Sequence, residues 1–92
     1  MDSTELPQVL ARSPRQLGQA LARLRGLRGA TQVAVAEAAG LRQSTVSSVE
    51  SGAGGTELAT VFALLAALDL EIVVQQRTTG PSSSRLRGGE GG

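Results

Sequence analysis

The sequence predicts an all-α domain of four to five short helices that closes on a single C-terminal strand. Three observations lead there. Helix-starting residues (Ser13-Pro14, Thr31 and Thr56) stand at the heads of short segments with helical apolar spacing. Glycines at 29, 40 and 52–55 punctuate those segments. One β-branched run, Leu70-Glu71-Ile72-Val73-Val74, breaks the helical period near the end.

Residues 1–12 contain Pro7, mixed charge and no clear period, and read as an N-terminal arm. Ser13 at the N-cap, Pro14 at the first helical position and Gln16 at N3 form a capping box. Leu17, Leu21, Leu24 and Leu27 follow at helical spacing, and Gly29 can take the left-handed position that ends the helix. Thr31 caps a second helix that runs to Ala39 and stops at Gly40. A third runs from about Arg42 to Ser51, and Gly52-Ala53-Gly54-Gly55 is a turn. Thr56 is expected to cap a fourth helix, whose apolar set Leu58, Val61, Phe62, Leu65 and Leu68 describes one stripe.

The run from Leu70 to Gln76 reads as a strand. A lone strand leaves its backbone groups unpaired, and the cheapest partner is the same strand of a second chain across a two-fold axis. Leu70, Ile72, Val73 and Val74 are therefore the expected dimerisation residues. From residue 77 on, RTTGPSSSRLRGGEGG is Gly-, Ser- and Pro-rich and reads as a flexible tail. The organisation expected is arm 1–12, domain 13–76 and tail 77–92.

Composition excludes most chemistry. The chain of 92 residues has no Cys and no His, so thiolate nucleophiles, imidazole bases and the usual zinc ligand sets are missing. Glu37 and Glu50 are far apart in sequence, fall on different helices and have no His or metal-ligand partner. The glycine turn at 52–55 lacks the Lys-Ser/Thr of a phosphate loop. With Phe62 as its one aromatic, the chain has no platform for stacking single-stranded bases. No catalytic residue, metal site or cofactor is expected. No apolar run approaches the roughly 20 residues that span a bilayer, and the N-terminus opens with acid rather than base. A cytoplasmic chain without membrane contact is the expectation.

Net charge is only +1, but it is unevenly spread. Residues 12–49 carry Arg12, Arg15, Arg23, Arg25, Arg28 and Arg42 against Glu37, a balance of +5. Residues 50–76 carry Glu50, Glu57, Asp69 and Glu71 with no basic residue, a balance of −4. All nine basic residues are Arg, the side chain that grips phosphate or guanine in a bidentate way, although Arg-favouring codon usage gives the same count.

The third helix carries the functional pattern. On a helical wheel Val46 and Val49 share a face with Leu41, while Gln43, Ser44, Ser47 and Ser48 fall opposite, with Arg42 at the N-terminal end. That polar face is short-chained and almost uncharged, unlike a solvated face laced with Glu/Lys pairs. Small side chains let a helix sit deep in the DNA major groove, where Gln and Arg match adenine and guanine edges. Together with the short helix before it and Gly40 between them, this is the pattern of a helix-turn-helix. Gln32, at the start of the second helix, is placed for a phosphate.

Ser13-Pro14-x-Gln16-Leu17, Thr31-Gln32, Gly40-Leu41-Arg42-Gln43-Ser44-Thr45-Val46-Ser47, Glu50 and Thr56 resemble the XRE, or phage-repressor-like, helix-turn-helix family. The opening SPRQLGQAL and the closing ALDLEIVV are similar to HipB-type antitoxins. The resemblance covers about residues 13–76. It implies a lambda-repressor-like fold with an intersubunit two-stranded sheet, and a homodimer bound to double-stranded DNA at an inverted-repeat operator of its own operon. It also implies a HipA-like kinase toxin as partner, and a nucleoid-associated place in the cytoplasm. Arg42 and Gln43 would then read bases, while Gln32, Ser44 and Ser47 would contact phosphate or groove. Thr45 and Ser48 complete the expected DNA-facing set, and Glu50 is better read as structural. Ala30, Ala34 and Ala39 depart from the family pattern and suggest a looser core. Two alternatives stand: a regulator of this family without a toxin, and an interaction module that kept the fold and lost DNA binding, which the acidic half favours.

Overall fold

A computed structural model describes residues 5–77. The expected tail, apart from Arg77, and the first four residues of the expected arm lie outside them. Four helices follow in order: α1 (Pro14–Leu27), α2 (Gln32–Ala39), α3 (Gln43–Glu50) and α4 (Leu58–Ala67). None of the described helices is long and apolar enough to cross a membrane.

The cap of α1 is half of the expected box. Ser13 Oγ accepts from the Gln16 N–H at 3.0 Å, but the Gln16 side chain accepts from Arg12 N–H at 2.6 Å rather than from Ser13. The helix therefore also holds the last residue of the arm. Thr31 caps α2 as its sequence predicts, its Oγ1 accepting from Ala34 N–H at 3.0 Å.

Two expectations for α4 are corrected. Its N-cap is Glu57, not Thr56, and no side chain caps it. The Glu57 carbonyl already accepts from Thr60 and Val61, so the helix starts one residue later than the threonine suggests. The buried stripe is Val61, Leu64, Leu65 and Leu68, whereas Leu58 is 70% and Phe62 51% exposed. Nearly every position of α4 is apolar, so the pattern alone permits two neighbouring stripes; packing against α2 selects one.

The core is a single cluster of Leu21, Val35, Ala36, Val46, Val49, Val61, Leu64, Leu65 and Leu68. It is aliphatic throughout, as composition predicts, and among the described residues no polar or charged one is buried. Leu17, Ala30, Ala39 and Leu41 pack on its edge. Helix α1 approaches α3 closely at Gly18: a Cβ there would overlap the carbonyl oxygens of Val49 and Glu50, 2.6 Å from the latter. Only the missing side chain permits that approach.

At the far end Asp69 has a left-handed backbone (φ 59), and Leu70 N–H donates to the Leu65 carbonyl at 2.7 Å. Arg28 Nε reaches the Leu68 carbonyl at 3.1 Å, placing a cation at the negative end of α4. The expected strand is not formed in the single chain. Leu70 is half-buried against the core as part of this helix end, and residues 71–77 are in no regular element. A β-ladder needs a second strand, and no described residue of the same chain pairs with this one.

Candidate nucleic-acid interface

The turn between α2 and α3 fixes how α3 is presented. Gly40 takes the left-handed conformation (φ 72, ψ 33), and Leu41 N–H closes the end of α2 on the Ala36 carbonyl at 2.9 Å. Nothing crowds Gly40, so its requirement is the backbone angle alone, which a side chain would penalise. Leu41 then turns inward, and Arg42 follows as the extended N-cap of α3.

Helix α3 is split as its wheel predicts. Val46, 1% exposed, and Val49 face the core, while Arg42, Gln43, Ser44, Ser47 and Ser48 are exposed and Thr45 is half-buried. The exposed set forms a ridge of short polar chains headed by Arg42 and Gln43.

Behind the ridge lies a polar relay that joins three helices. The Arg25 guanidinium of α1 meets Glu50 at the end of α3 twice, Nε to Oε2 at 2.6 Å and Nη2 to Oε1 at 2.9 Å. Its Nη1 donates to the Ala30 carbonyl at 2.9 Å, holding the loop before α2. Glu50 Oε1 also accepts from Gln32 Nε2 at 2.9 Å, and Gln32 Oε1 accepts from Gln43 Nε2 at 2.6 Å. The Gln43 amide is thus tethered, yet it keeps its oxygen and one N–H, the acceptor and donor that an adenine edge requires.

Burial by itself would raise the Glu50 carboxyl, but hydrogen bonds from Arg25 and Gln32 and the Arg25 charge prevail and hold it below its ordinary value of 4.5. The hydrogen bond to Glu50 likewise raises Arg25, against the opposing effect of burial. Since the folded chain binds this proton less readily than the unfolded one, the pair contributes its full stability above about pH 4.5. That contribution is lost as pH falls through the lowered folded value. Thermal melts should show a larger loss in Tm between about pH 7 and about pH 3 for the native chain than for Glu50→Gln. Equal losses would remove Glu50 as the source of the acid sensitivity.

The sequence predicts a phosphate contact for Gln32; in the structure its Nε2 donates to Glu50 and its Oε1 accepts from Gln43, which leaves one N–H of the amide uncommitted. The Gln32–Gln43 bond has no signal in the sequence beyond both glutamines being the first residues of adjoining helices. The basic half is also partly committed: Arg25 is in the relay and Arg28 caps α4, while Arg12, Arg15, Arg23 and Arg42 are exposed. The expected dimerisation residues Ile72, Val73 and Val74 are exposed well away in sequence from α3.

The helix-turn-helix domain family matches residues 16–76. The antitoxin HipB of Escherichia coli (strain K12) is 33% identical over 73 residues, which cover 78% of this chain and 83% of the relative. Among solved structures, a chain of the HipA-HipB-O2-O3 complex superposes with a TM-score of 0.72 at 31% identity, covering 77% of this chain and 100% of that one. A chain of the HipB-O4 20mer complex gives the same TM-score, identity and coverage, 0.72, 31%, 77% and 100%.

Proposed function

The chain belongs to the XRE-type helix-turn-helix family as a HipB-like member, and from that premise we propose that it is a dimeric, sequence-specific repressor of its own operon and the antitoxin of a HipA-like kinase toxin. The observation that carries the DNA-binding part is the exposed, short-chained face of α3 with Gln43 tethered behind it. The solved HipB-O4 20mer and HipA-HipB-O2-O3 complexes support the two partners. Exposed arginines fix the protein on phosphates, and Arg42, Gln43, Ser44, Thr45, Ser47 and Ser48 face the groove, with Gln32 steering Gln43. Pairing of two copies sets the spacing of two half-sites and demands an inverted repeat. The chain acts in the cytoplasm and catalyses nothing itself.

Arg42→Ala tests the base-reading role. It should cost about 1–3 kcal/mol on a specific site and relax base preference at one position per half-site. Titrations of specific and random duplexes at one salt concentration measure both. Equal weakening on the two would reduce Arg42 to a phosphate contact. Co-expression with a HipA-like kinase toxin tests the antitoxin role: the two chains should co-purify and cell growth should be spared, and an unmoderated toxin with no complex would refute it.

A further inference from the structure

Two arginines stand at the end of α1 where a helix gains least from them. Arg15 is the second residue of α1, Arg12 lies just before the Ser13 cap, and the first turn holds no acid. A helix N-terminus carries positive partial charge, which an acid offsets and a cation aggravates. Arg28, by contrast, sits at the negative end of α4, and Arg25 is paired with Glu50. Arg12 and Arg15 are exposed, and among the described residues no acidic side chain pairs with either. A choice that opposes helix stability with no compensating contact marks residues kept for binding.

The fold carries both to the recognition element. A Cβ added at Gly52, the second residue after α3, would lie 2.6 Å from the Arg15 Cα, so the start of α1 rests on the C-terminal end of α3. The close approach of Gly18 to the Val49 and Glu50 carbonyls holds the same alignment one turn further on. Arg12 is fixed as well, its N–H donating to Gln16 Oε1 at 2.6 Å. The exposed ridge of α3 is thus bracketed, by Arg42 at its N-terminal end and by Arg12 and Arg15 at the other. Arg23 stands outside this arrangement, about 140° around α1 from Gly18.

We propose that Arg12 and Arg15 form a phosphate clamp that grips the DNA backbone at the C-terminal end of α3. This rests on the DNA-binding reading above and names the residues that anchor it. The eight residues of α3 span about 12 Å, close to the width of the major groove, about 12 Å. Base contacts come from the N-terminal residues of a recognition helix, so its other end meets the sugar-phosphate wall. There the two guanidinium forks match phosphate oxygens, and their seat on α3 fixes how the ridge enters the groove.

Salt dependence of binding by the full chain tests the clamp on two probes: a duplex that the native chain selects from a random pool, and a random duplex of equal length. Arg12→Ala and Arg15→Ala should each weaken both probes by a similar factor, about fivefold, and flatten the slope of log K against log salt by about 0.9 per copy bound. Arg23→Ala removes the same charge and should leave the slope as it is. Arg15→Glu should weaken binding further yet raise Tm, because it places an acid in the first turn of α1. Unchanged slopes in both alanine variants overturn the clamp and leave base reading by α3 standing. So does an equal flattening by Arg23→Ala, which would make binding a response to net charge alone. A fall in Tm for Arg15→Glu would assign Arg15 to the fold and overturn its place in the clamp. A native chain that binds neither duplex overturns the DNA-binding reading and the clamp with it.

Discussion

Replacing Glu50 with alanine should destabilise the domain by about 3 kcal/mol, the scale expected when one partner of a largely buried ion pair is removed. The two side chains are only 19% (Arg25) and 9% (Glu50) exposed, so the deletion strands a guanidinium that has lost both hydrogen bonds to its carboxylate. It also frees Gln32, and through it Gln43, so DNA affinity should fall even at temperatures where the variant stays folded. Urea unfolding at neutral pH measures the first effect. A loss below about 1 kcal/mol would mean that the pair behaves as a surface one. Replacing the pair together, Arg25→Met with Glu50→Leu, separates the roles. Well-packed apolar substitutes for a buried pair are often neutral for stability, but they cannot hold Gln32.

Gly18→Ala should lower Tm by about 10 °C or more, corresponding to about 2–3 kcal/mol in a domain of this size. The added methyl falls on the Val49 and Glu50 carbonyls, which are backbone and cannot rotate away, so α1 and α3 must separate. Gly26→Ala in the same helix is the control. Nothing lies within 4 Å of that site, and the exchange should stabilise by up to about 1 kcal/mol. If both alanines stabilise, the close approach of α1 to α3 is not what the glycine serves.

Much of the fold is legible because its punctuation is local. Ser13, Thr31 and Gly40 act through bonds or angles within four residues of themselves, and each does in the structure what its residue type predicts. The alternation of Val46 and Val49 with Gln43, Ser44, Ser47 and Ser48 likewise announces which face of α3 is outside. Helix α4 was less legible, since Leu58 and Phe62 are as apolar as the residues that the core selects. The relay from Arg25 to Gln43 was least so. It joins residues 11 to 25 positions apart, and only the packing of α1, α2 and α3 brings them together. The strand is a further case: its β-branched run is plain in sequence, but the described residues 71–77 form no regular element.

The central claim is that the exposed face of α3 reads base sequence, twice per dimer. Selection of bound duplexes from a random pool with the full-length native chain tests it most directly. The enriched sites should contain two inverted half-sites whose centres lie about 10 base pairs, or a multiple of that, apart. Each should have purines at the positions that Arg42 and Gln43 face. Bound duplexes with no common motif, retained only through salt-sensitive phosphate contact, would contradict it.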